Sequence, residues 1–185
     1  MMVRTLTGLA LTAGVIGCFL VGSASGQNAD KKLREAAVKA VAAAEMRLNR
    51  VEKLARERAA TTKELVIARY QLLDARYQLA QIDREPQKVL IGYLRQIVAI
   101  YQTYYELMSR LEATGKVSQL DVDGARLGLA EANIRLEMHG IIDIHERQVE
   151  RFKKLIPQKA ATMEQLEEAQ KALREARRRL AELPR

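Results

Sequence analysis

The sequence predicts an all-α protein of long antiparallel coiled-coil hairpins, and three observations predict it. The first is composition. Ala, Leu, Arg, Glu and Gln dominate, there is no Trp, and only two Phe and six Tyr occur in 185 residues. That is the usage of long helices rather than of a sandwich or an α/β enzyme. With three prolines in the chain (Pro86, Pro157 and Pro184), long uninterrupted helices are available. The second observation is a start signal that recurs. Thr61-Thr62-Lys63-Glu64-Leu65, Ser118-Gln119-Leu120-Asp121-Val122 and Thr162-Met163-Glu164-Gln165-Leu166 each place an acid or amide three residues after a hydroxyl. In such a capping box the hydroxyl accepts from an orphan N–H of the first turn, and the third side chain reaches back to the cap's own N–H. The third observation is the stripe that follows each start. Leu65, Ala68, Leu72, Ala75 and Leu79 alternate by three and four; so do Val122, Ala125, Leu129, Ala132 and Leu136, and Leu166, Ala169, Leu173, Ala176 and Leu180. This is a heptad seam, and its alternation of large and small residues lets two backbones approach closely.

Taken in order, the chain opens on an export leader, residues 1–26. One basic residue (Arg4) precedes an apolar run from Leu6 to Val21, and Ala24-Ser25-Gly26 offers a small-residue cleavage site before Gln27. The uncharged run from Thr5 to Ala29 is also just long enough to act as a retained anchor, although the small residues at its end favour cleavage. Cys18 is the only cysteine, and Val15-Ile16-Gly17-Cys18 resembles a lipobox, which makes Cys18 a candidate lipidation site. Residues 27–185 then form one helical coiled-coil domain without a disulfide. The helices are expected at about Asp30–Arg58, Thr62–Ala113, Ser118–Ile156 and Met163–Leu183. Their short connections demand antiparallel neighbours, which makes three helix–turn–helix repeats. Apolar pairs precede each turn: Val51 with Leu54, Met108 with Leu111, Phe152 with Leu155. The seam slips near Pro86 and again near Gly140. Neither place has a proper loop, so both read as kinks in long helices; reversals at both would instead give six shorter helices.

The chain offers no chemistry in pattern form. His139 and His145 are six residues apart and point to different helix faces, so they do not form a metal pair. His139 with Asp143 reads as surface polarity, and His145 falls on the apolar stripe as a partly buried residue. Gly115 stands alone in its turn, as a C-cap rather than part of a phosphate loop. No serine sits in a nucleophile elbow. The carboxylates lie along helix surfaces near arginines, as Glu175 does near Arg178 and Arg179. Neither catalytic nor cofactor residues are expected. Tyr70, Tyr77, Tyr93, Tyr101, Tyr104 and Tyr105 read as bundle packing with hydroxyls at the edge.

The second repeat carries a resemblance. Gly115, Val117, Ser118, Asp121, Val122, Ala125, Arg126, Leu129 and Ala132 stand in the pattern of the helical-hairpin turns of TolC-type outer-membrane efflux proteins. The segment is also similar to the α-hairpins of the periplasmic adaptor proteins that meet such channels. The first and third repeats lack the glycine. The chain also lacks the strand-like alternation of those channels and the β-rich domains of the adaptors, so the resemblance covers the coiled-coil portion alone. It implies an envelope location and contacts made at hairpin tips. The candidate partner-contact residues are therefore Thr61, Thr62, Gly115, Lys116, Val117, Ser118 and Thr162.

The function expected is non-enzymatic: an exported periplasmic protein, free or membrane-associated, that acts by helix–helix association with itself or with envelope transport components. The formal charge of +8 supports an alternative, a basic module for anionic envelope polymers or lipid. Nucleic acid is disfavoured, because no aromatic residues interleave the basic ones as stacking platforms.

Overall fold

The structure, a computed structural model, describes residues 26–183, and these are all helix and turn, with no strand among them. The export leader expected at residues 1–26 falls, all but its last residue and with Cys18 included, outside this range. Five α-helices follow one another: α1 (Gly26–Arg56), α2 (Thr62–Ile82), α3 (Gln87–Glu112), α4 (Gln119–Leu155) and α5 (Met163–Glu182). A short 3-10 turn, Ile156–Gln158, links the last two.

Each helix packs antiparallel on the one before it. Between α1 and α2, Arg76 meets Glu45 at 2.8 Å and Arg69 meets Glu52 at 3.5 Å, so numbers that rise on one helix fall on the other. The rings of Tyr70 and Tyr101 join α2 to α3 at 5.1 Å. Met108 of α3 packs with Val122 and Ala125 of α4. Val149 of α4 packs with Leu166 and Ala169 of α5. The 37 residues of α4 span about 55 Å. Its first half lies under α3 and its second half under α5.

Four turns reverse the chain, and all four close in the same way. Arg58, Arg84, Gly115 and Lys159 adopt left-handed conformations, with φ of 57°, 54°, 68° and 56°. The next N–H bonds a carbonyl five residues back: Ala59 to Leu54, Glu85 to Ala80, Lys116 to Leu111 and Ala160 to Leu155. These Schellman bonds satisfy carbonyls that the helix end leaves open. Three of the four left-handed positions carry a basic residue instead of glycine. That conformation costs an L residue about 1–2 kcal/mol, and a cation beside the negative helix end offsets part of it.

Two expectations meet the structure differently at the seam slips. At Gly140 the chain does not break, and α4 runs through it as one helix. At Pro86 the long helix expected over Thr62–Ala113 is corrected: the chain reverses there, giving five helices where four were expected. Pro86 has no N–H to donate and disfavours helical geometry at Glu85. The chain therefore ends α2 at the Arg84 cap, and the Pro86 carbonyl starts α3 by accepting from Val89 at 2.8 Å.

The core is narrow. Alanines 37, 68, 80, 125, 132, 169 and 176 are buried, and the largest fully buried side chains are Leu94, Met108, Ile142 and His139. Close backbone approach is sharpest at Gly128. A Cβ added there would lie 2.5 Å from Tyr101 Cε1 and 3.0 Å from Cδ1. The Tyr101 ring cannot retreat freely, because Tyr70 packs against it. Gly124, one turn earlier, has nothing within 4 Å of the same added atom. Gly128→Ala should thus destabilise the protein by about 1–3 kcal/mol through overpacking. Gly124→Ala should stabilise it by up to about 1 kcal/mol through helix propensity. Urea denaturation of the two variants beside the parent checks both signs.

Candidate functional site

The predicted partner-contact residues divide between two ends of the molecule. Thr61 caps α2, and its Oγ1 accepts from the Glu64 N–H at 3.2 Å while its own N–H donates to Glu64 Oε2 at 2.7 Å. Ser118 caps α4 likewise: its Oγ accepts from the Asp121 N–H at 3.3 Å and its N–H donates to Asp121 Oδ2 at 3.1 Å. Bonds from Thr61 hold the Glu64 carboxyl below its usual range, and bonds from Ser118 do the same for Asp121. With α2 antiparallel to α3 and α3 antiparallel to α4, the first and second turns fall at the same end of the molecule, and the charge of Lys63 adds to the lowering of Asp121. Thr62 opens α2 and is exposed. Gly115 and Lys116 are exposed, and Val117 tucks against the Met108–Val122 cluster. Thr162 forms the third box, with Gln165, at the far end of α4. It lies about 55 Å from Ser118 along that helix.

A second constellation lies in the core, and the sequence reading misplaced it. The expectation of His139 as surface polarity is corrected: it is 1 % exposed, and no other histidine, acid or base among the described residues is buried to that degree. Three helices enclose it. His139 Nδ1 lies 2.7 Å from Gln87 Oε1, the first residue of α3. Its Nε2 lies 2.7 Å from the Tyr77 hydroxyl of α2. Gln81 Nε2 donates to that hydroxyl at 2.8 Å. The donor order follows from the partners. An amide oxygen only accepts, so Nδ1 carries the proton, Nε2 accepts, and Tyr77 donates to it. The Tyr77 and His139 rings meet edge to face at 5.7 Å. Burial pushes the His139 pKa below its ordinary value, against a smaller raising pull from Glu146. Burial also pushes the Tyr77 phenol up to about 12.

The polar row continues along the same junction. Asp74 accepts from Gln78 Nε2 at 2.7 Å, and its carboxyl is raised by burial against the opposing charge of Arg135. Burial, aided by the charge of Asp74, raises the Tyr70 phenol as well. His145, expected on the stripe, is half-buried and bonds Gln148 at 3.0 Å. The signal for His139 was present in its spacing. It follows Ala132 by seven and precedes Ile142 by three, on the buried face of α4.

The bonds of this arrangement join α2, α3 and α4. Two shallow surface depressions, one lined by Glu52, Arg56, Leu65 and Arg69 and one by Ile144, Arg147, Gln148 and Arg151, both miss His139. Among the described residues, no group of three or more histidines, cysteines or acids gathers as metal ligands would. None of the described helices is long and apolar enough to cross a membrane.

One face stays uncovered. Leu120, Leu127, Ile134 and Ile141 of α4 are 80, 61, 46 and 41 % exposed. Each stands seven residues after the last, on the side opposite Val122, Ala125 and Ala132.

No family model, curated protein or solved structure matches this chain.

Tyr77→Phe should leave His139 Nε2 buried without a donor and lower stability by about 1–3 kcal/mol. Thr162→Ala should cost about 1 kcal/mol through the lost cap. Thermal melts followed by circular dichroism measure both.

Proposed function

We propose that this chain is a non-enzymatic coiled-coil protein of a bacterial cell envelope that acts by helix–helix association. Its five helices are read as capped hairpins, with helix–turn–helix repeats at Thr61, Ser118 and Thr162. The observation that carries the reading is the uncovered row of Leu120, Leu127, Ile134 and Ile141. A row of period seven matches the groove of another helix, and apolar side chains left in water gain by burial there.

The resemblance to TolC-type hairpins adds an envelope setting. In that setting the paired end formed by Thr61, Thr62 and Gly115–Ser118 is the docking tip, and envelope transport components are the partners. The alternative, a basic module for anionic polymers or lipid, has less support. Arg177 is engaged by Glu146 at 2.8 Å, and Arg178 and Arg179 share Glu175.

Sedimentation velocity, together with capture from solubilised envelopes at low and high salt, tests the proposal. Association that survives high salt and is lost in Leu127→Asp/Ile134→Asp is the expected result. Binding stripped by salt and indifferent to those changes would replace this reading with the basic-surface one.

A further inference from the structure

We propose that His139 is a pH-operated latch between the α2–α3 hairpin and α4, closed when the imidazole is neutral and released when it is protonated. The inference is independent of what the protein associates with. It rests on the position of the ring and on the bonds it makes.

His139 sits where three helices meet. Gln87 begins α3, Tyr77 and Gln81 lie in the last turns of α2, and His139 lies near the middle of α4. Its two bonds, at 2.7 Å each, run from α4 to the two arms of one hairpin, on either side of the Pro86 reversal. The ring thus pins the closed end of that hairpin to the spine.

The neutral ring fills every role in the chain of bonds, and the cationic ring does not. A second proton goes to Nε2, which then becomes a donor facing the Tyr77 oxygen. That oxygen already accepts from Gln81. The phenol hydrogen is displaced and must find another acceptor within the junction.

The charge fares no better. From α3 the ring meets the neutral amide of Gln87. From α2 it meets Tyr77, with Asp74 about one turn further along and opposed there by Arg135. On α4 itself, Glu146 is the acid that favours the cation, and Arg177 of α5 already holds Glu146 at 2.8 Å. Asp143 is taken by Arg147 at 2.7 Å. A buried cation with so little compensation drives the interface open toward water.

The sign of the pH dependence follows from linkage. The folded pKa lies below the ordinary value of 6.5. The stabilising contribution is therefore complete above 6.5 and is lost as the pH falls from there toward the folded value. The α1–α2 and α4–α5 contacts hold no comparable buried histidine, so the opening is local to the α2–α3 hairpin.

The test is a pH titration of the purified chain from 7.5 to 4, with His139 and His145 followed by their imidazole NMR signals. Tyrosine near-ultraviolet circular dichroism and amide exchange corrected for intrinsic rates are read alongside. His139 is expected to titrate below the ordinary histidine value of 6.5. Loss of protection in 70–105 should share its midpoint, while α5 stays protected. His139→Gln keeps a neutral hydrogen-bonding side chain and should abolish that step. Glu146→Gln should move the midpoint to lower pH.

Three outcomes would overturn the latch. One is a His139 that titrates with the α2–α3 amides still protected. Another is an acid transition unchanged in His139→Gln. The third is an unmoved midpoint in Glu146→Gln. If His139→Gln fails to fold, the parent's NMR titration and the Glu146→Gln shift still decide the matter.

Discussion

One buried face of one helix holds this molecule together. Along α4, Val122, Ala125, Ala132, His139, Ile142 and Val149 form a continuous buried row. The first half of that row receives α3, and the second half receives α5. The third and fifth helices are therefore placed end to end, by sharing a spine rather than by packing into one compact centre. Because α2 reaches α4 mainly through its closed end with α3, the junction at His139 bears on the position of the whole first half.

The narrowness of the core explains the importance of the turns. Alanine at the seam allows close helix approach but removes little apolar surface per residue, at about 25 cal/mol per Å². Helices with so small a burial term depend on local devices for definition. Each reversal is closed by a left-handed residue with its five-back bond, and three of the four following helices start from a capping box. The helix after Pro86 has no side-chain cap. There the tertiary bond from Gln87 to His139 holds the first residue of the helix instead.

The same economy accounts for polar groups in the core. The Gln81–Tyr77–His139–Gln87 chain is satisfied at each link, so burial of those groups is not penalised in the neutral state. It specifies one register of the α2–α3 hairpin on α4, which a seam of similar alanines and leucines would specify only loosely. The uncovered row on α4 belongs to the opposite side of the helix, and the intramolecular packing leaves it to solvent.

What the sequence by itself determined is local. The all-helical class, the three capping boxes and the left-handed Gly115 turn follow from residues within a few positions of one another. Capping and helix propensity depend on those neighbours and little else. The reversal at Pro86 was half legible. Proline forbids the continuous ladder, but a kinked helix and a hairpin satisfy the same heptads, and the packing of α2 on α3, with Tyr77 and Ala80 against Leu90 and Leu94 and Tyr70 on Tyr101, selects the hairpin. The burial of His139 was less legible still. Its stripe position was visible, but whether that stripe meets solvent or two other helices depends on where α2 and α3 end. Which turns share an end of the molecule was likewise decided only in three dimensions. Helix length and the number of reversals between two turns set that, and a missed reversal changes the direction of everything after it.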